Sequence, residues 1–268
     1  MLLMKKRGQV TIFVLLGLVV VSIIVILLMF QTNFFEQEIK GEEAERILEP
    51  QLNPIKERVM DCVEASAKRG ELLIAKQGGY LDPPYYVTLG DYEVSYGCYL
   101  SEGVYMTTLP LMSKVEEELA EYMALPETLN ELDVCMNLDE FSSEGFEVEG
   151  DIQELRTEFD VSFSEITLKI LFPLTISKES YATTLDNYIV QYPSGLGKAH
   201  SVASSIVNDE CQNIEFDIDS YIRVHDPLAT IARQRENDAL GDNTYYYLTT
   251  ISTGQEEELD FHFVIQEG

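Results

Sequence analysis

At 268 residues and 46% hydrophobic content, the chain has room for one large or two small globular units and is too apolar for intrinsic disorder. Its 47 acids against 18 bases give a formal net charge of −29. That balance argues against nucleic acid as a partner, because phosphate backbones are gripped by clustered Lys and Arg. So acidic a surface suits repulsion between copies, cation binding or a high-salt habitat.

The chain opens with KKRGQVTIFVLLGLVVVSIIVILLMF from Lys5. Lys5, Lys6 and Arg7 precede any acid, which leaves 15 of the 18 bases to face all 47 acids further on. An apolar run from Val10 to Phe30 follows, broken only by Thr11, Gly17 and Ser22, and no charge appears until Glu36. As a helix the run is roughly 31 Å long, the thickness of a bilayer's hydrocarbon core. Secretory apolar regions are shorter, about 7–15 residues, and end at a small-x-small cleavage site. The run here ends LLMFQTNFF, with no such site, so the helix is expected to stay in the membrane. The basic flank places the N-terminus in the cytoplasm and the acidic remainder outside the cell, as a single-pass protein.

The stretch KRGQVTIFVLLGLVVV resembles the class III signal of archaeal type IV pilin-like proteins. It has a short basic leader, a small residue, a polar residue, then an uninterrupted hydrophobic helix. The resemblance implies cleavage after Gly8 by a membrane peptidase, leaving Gln9 as the new N-terminus. It further implies a helix that holds the subunit in the membrane or packs into a filament core by self-association. The sequence departs from the family at Phe13, where many pilins carry Glu. Without the resemblance, the same residues read as a plain, uncut single-span anchor.

Residues 31–53 are polar with scattered Phe34, Phe35, Ile39, Ile47 and Leu48, as in a helical stalk weakened at Gly41 by about 1 kcal/mol relative to Ala. Pro50 and Pro54 break it. The spacing of Ile55, Val59, Cys62, Val63, Ala67 and Ile74 predicts a helix from Pro54 to about Gln77, stopped by Gly78-Gly79. A tyrosine-rich stretch with turns near Asp82-Pro83-Pro84 and Gly90-Asp91 reads as short strands or an ordered loop. Helical spacing returns from Met112, with Val115, Leu119, Tyr122 and Met123 on one face, and Pro126 starts a further helix with Leu129, Leu132, Val134 and Met136 as apolar members.

Strand signals then dominate. FEVEGD is strand-like, and Phe159, Val161, Phe163, Ile166, Leu168, Ile170 and Phe172 fall at period two. A helix is expected between Lys198 and Asn208. Three closing strands are read in IEFDIDSYIRV, TYYYLTTIS and LDFHFVIQEG, with Phe216, Ile218, Phe261, Phe263 and Ile265 facing inward. The fold class is therefore α+β: a long transmembrane helix (leader 1–8, helix 9–30), an extracellular stalk (31–53), a mainly helical region with a tyrosine-rich insertion (54–140), and a β-rich acidic domain (141–268) with a mainly antiparallel sheet.

Cys62, Cys98, Cys135 and Cys211 are widely spaced, with no CxxC and no His at zinc-finger distance, which argues against structural zinc. An even count in an exported domain favours disulfides. Cys62 with Cys135 is preferred, since both lie in helices that can pack side by side, leaving Cys98 with Cys211; the other two connectivities stay open, as do four reduced, buried thiols.

No catalytic motif stands out. SGLGKAH imitates a phosphate loop, but Tyr192 and Ala199 occupy positions where the motif needs Gly and Ser or Thr, and a turn before a helix explains it. His225-Asp226 reads as a turn, and His262 as facing solvent across from Phe261 and Phe263. No cofactor is expected. For calcium, Asp217 and Asp219 alternate on an expected strand while Asp238 and Asp242 lie in ENDALGDN, and neither stretch has EF-hand spacing. The two tyrosine stretches, Tyr85-Tyr86 with Tyr92, Tyr96, Tyr99 and Tyr105, and Tyr245-Tyr246-Tyr247, either cover a sheet edge, the commoner role of such aromatics, or form the first place to look for a surface or envelope partner.

Three functional readings follow: a filament-forming structural protein for adhesion or cell contact, a non-polymerising anchored binding module, and a membrane-tethered hydrolase using two carboxylates.

Overall fold

The computed structural model describes residues 52–179, 181–225, 229–238, 241–251 and 258–267. The leader, the apolar run and the stalk, with Gly8, Gln9 and the basic flank, lie outside the described residues, and no described helix is long and apolar enough to cross a membrane. One compact unit spans Pro54–Ser180 and Thr184–Gly268.

Helix α1 covers residues 52–76 and buries the stripe of Ile55, Val59, Cys62, Val63, Ala67 and Ile74. Gly78 and Gly79 end it with φ of 76° and 96°, conformations costly for any residue with a Cβ, and the Gly79 N–H donates to the Ile74 carbonyl at 2.8 Å. The chain then makes β1 (Tyr86–Leu89), β2 (Tyr92–Ser101) and β3 (Val104–Thr107), followed by α2 (Met112–Met123) and α3 (Pro126–Met136). Helix α2 buries Val115, Leu119 and Met123. Helix α3 buries Leu129, Leu132 and Met136, but Val134 is exposed, one position off the buried stripe. A bond between Cys62 and Cys135 joins α1 to α3.

Strands β4 (Glu147–Glu149), β5 (Arg156–Val161), β6 (Glu165–Lys178) and β7 (Tyr181–Pro193) come next. Then follow α4 (Leu196–Glu210), α5 (Ile218–His225), β8 (Ala229–Asp238), β9 (Gly241–Ile251) and β10 (Glu258–Gln266). Among the described residues the strands form two sheets, not one. In the first the order is β1-β2-β10-β9-β8, with β3 also on β2, and β2–β10 is parallel in an otherwise antiparallel arrangement. In the second, β6 pairs with β4, β5 and β7.

The period-two signal around Phe159 to Phe172 is a hairpin. Phe159 and Val161 are buried on β5, and Ile166 through Ile176 alternate inward on β6, while Phe163 sits in the intervening turn and is exposed. The change of phase from odd to even positions marks the reversal. Val161 is held at the strand end by α2, where Glu116 Oε1 accepts its N–H at 2.9 Å.

The stretch IEFDIDSYIRV is not a strand: from Ile218 on it is α5. Asp217 accepts from Ser220 twice, from the backbone N–H at 3.0 Å and from the hydroxyl at 2.7 Å, which caps the helix and satisfies donors that a strand would need to pair elsewhere. Phe216 is buried against Tyr221, with ring centroids 5.2 Å apart.

Helix α4 covers one face of the first sheet, packing on β2, β9 and β10. Tyr246 stacks on Phe263 within the sheet at 5.2 Å and 6°. Cys98 at the centre of β2 is bonded to Cys211 just beyond α4.

Candidate interaction surface

Successive residues on a strand face opposite ways, so TYYY must divide. Tyr246 is buried beside its cross-strand partner Phe263, whereas Tyr245 and Tyr247 pair with Val264 and His262. Val264 in turn is in register with Tyr96 on β2. The parallel β2–β10 pairing therefore joins the two tyrosine stretches, about 150 positions apart, into one cluster: Val87, Val94, Tyr96, Tyr245 and Val264 are buried, with Tyr92, Tyr99 and Tyr247 packed against them.

At one end of this cluster is a groove of about 370 Å³ lined by Pro84, Tyr85, Tyr86, Tyr96, Tyr99 and Gln266. Tyr96 is 4% exposed, whereas Tyr85 and Tyr86 are 50% and 43% exposed. Tyr85 stacks on Tyr99 at 5.0 Å and 17°, and Tyr99 leans on Tyr96 at 5.5 Å and 58°. Gln266 is fixed by accepting the Leu100 N–H at 2.9 Å. Among the described residues no charged side chain lines the groove, but Glu93 hydrogen-bonds the Tyr86 hydroxyl and, with the Asp82 charge, holds its ionisation above the usual phenol range.

At the other end, Lys76 of α1 places its Nζ 5.0 Å from the Tyr92 ring centroid and donates to the Tyr92 hydroxyl at 3.4 Å. His262 lies here too. It is half-buried and packs edge-on against Tyr247 at 5.0 Å, so it does not stand free in solvent. Burial is the main cause that pushes its pKa down; Lys76 adds to this and Asp260 opposes it.

The SGLGKAH segment folds as the turn into α4, with Leu196 to His200 all buried. A Cβ on Gly197 would lie 2.0 Å from the Ser162 carbonyl oxygen, so backbone fills the space a phosphate would need. Ser194 donates to Glu71 of α1 and accepts the Leu196 N–H at 3.0 Å. Burial, partly opposed by Ser194 and Lys68, raises the Glu71 pKa to about 7. His200 contacts the Pro110 carbonyl oxygen at 2.7 Å, and burial lowers its pKa.

Of the calcium candidates, Asp217 uses both carboxylate oxygens on Ser220, and Asp219 sits in the first turn of α5. Asp238 and Asp242 flank the β8–β9 turn, and the placement of their side chains lies outside the described residues. Among the described residues no three His, Cys, Asp or Glu side chains come together as a metal site. His225 closes α5 instead of forming a turn.

The tyrosines of the groove stand out in the sequence, whereas Gln266 does not: it ends an apolar strand and joins the groove only through the β2–β10 pairing. Comparison with family models, curated proteins and solved structures finds no match for the chain.

Proposed function

We propose that the chain is a membrane-anchored surface protein of the pilin-like kind. Its N-terminal helix holds it in the membrane and assembles with copies of itself, and its acidic head faces outward for adhesion or cell contact. The observation that carries this reading is the opening itself: three cations, Gly8, Gln9, then an apolar run of bilayer length with no charge before Glu36. Two further features support it. The head is closed by two disulfides, the usual state of an exported domain, and its partly exposed tyrosine groove offers a contact surface.

A second reading keeps the anchor but not the polymer. It is favoured by Phe13, which stands where many pilins carry Glu. Negative-stain images of material sheared from cells separate the two. Fibres that disappear when the gene is deleted support the filament, and their absence, with the protein retained in membranes, selects the anchored binding module.

A further inference from the structure

We infer that the tyrosine groove is a docking site for a cationic side chain, lysine or arginine, presented by a partner polypeptide. This deepens the reading of the head as a contact surface and rests on it.

The lining decides the chemistry. Tyr85, Tyr86, Tyr96 and Tyr99 offer ring faces and edges at several inclinations around about 370 Å³, room for a side chain and its flanking backbone. Ring faces attract cations through their quadrupole, more strongly where water is partly excluded. Glu93 and Asp82 act on the Tyr86 end of the groove, so an anion approaching it meets carboxylates. A neutral apolar ligand would gain nothing from those carboxylates, and a second copy would bring another formal charge of −29. Only a cation gains from both the rings and the surrounding field.

The molecule already makes this contact once, on the same cluster. Lys76 sits over Tyr92, the ring that packs with Tyr99 against the buried tyrosine core. Gln266 adds direction. Its carbonyl is held by the Leu100 N–H, which leaves its amide hydrogens for a carbonyl of the incoming chain.

The test uses the full chain in detergent micelles at physiological ionic strength. Calorimetric titrations with a triarginine peptide are compared with tricitrulline, its neutral isostere. Triarginine is expected to bind about tenfold more tightly than tricitrulline. The Tyr85→Leu/Tyr86→Leu variant, which leaves the charge unchanged, is expected to weaken triarginine about tenfold. A second variant, Asp82→Asn/Glu93→Gln, leaves every ring in place and is expected to weaken it severalfold. Equal binding by wild type and the tyrosine variant assigns the affinity to diffuse negative charge and overturns the proposal. So does tricitrulline binding as tightly as triarginine, no binding of either, or indifference to loss of the two carboxylates. Membrane fractionation of the same preparations reports on the anchor separately, so failure of the groove leaves the surface-protein reading standing.

Discussion

Glu71 and Ser194, 123 positions apart, share a buried hydrogen bond that ties α1 to the turn opening α4. Glu71 is 5% exposed, and burial raises its pKa from 4.5 to about 7 in the folded chain. Folding therefore favours the protonated form of this group. Its contribution is complete below about pH 4.5 and is lost as pH rises through 7, amounting to roughly 3 kcal/mol. Urea melts from pH 5 to 8 are expected to show wild type losing stability relative to Glu71→Gln, with Gln the more stable at pH 8. Parallel curves for the two proteins would show that Glu71 is ionised throughout.

Tyr246 donates to Glu210 Oε1 at 2.6 Å, and the same oxygen accepts the Phe216 N–H at 3.0 Å. Removing the hydroxyl leaves a partly buried carboxylate short of one donor, so Tyr246→Phe is expected to cost about 1.5–3 kcal/mol. Tyr85→Phe, on a half-exposed ring, is expected to cost under about 0.5 kcal/mol. Chemical denaturation of both variants checks the difference.

The disulfides close loops of 73 and 113 residues. In the chain-entropy model each stabilises by about 4–5 kcal/mol. Replacing Cys62 and Cys135 by Ser is expected to loosen the α1–α3 contact first, because the neighbouring Arg69–Glu131 pair at 2.9 Å is exposed and weak. Replacing Cys98 and Cys211 removes a tie between the middle of the first sheet and the end of α4. Denaturation midpoints of the two double variants measure these losses, and non-reducing peptide mapping checks the connectivity.

With 47 acids against 18 bases, most carboxylates have no cation to pair with. Salt shortens the range of that repulsion to about 3 Å at 1 M. The melting temperature is expected to rise between about 0.05 and 1 M salt. A flat or falling curve would mean that ion pairs, those around Arg233, Arg235 and Lys114 among them, outweigh the repulsion.

The elements with clean periodicity were legible: α1 with its glycine stop, α2, α3 from Pro126, α4, and the strands β6, β9 and β10. Where two structures share one pattern, the sequence misleads. DIDS alternates like a strand, yet Asp217 and Ser220 close a helix cap. Strand β8 reads ATIARQREND because it is an edge, where charge is tolerated and deters further pairing. The first half of β7 is largely exposed and lacks an apolar face to announce it. The tyrosines themselves were visible, but their convergence was not. It depends on β10 lying parallel to β2 across most of the chain, a long-range pairing that leaves no local signature.

The membrane-anchored reading requires an apolar helix that stays in the finished protein and holds this head at the cell surface. Intact-mass measurement and N-terminal sequencing of the protein from washed native membranes test it most directly. A membrane-bound chain beginning at Gln9 is the expected result; a water-soluble chain whose first residue lies beyond Phe30 would overturn that reading.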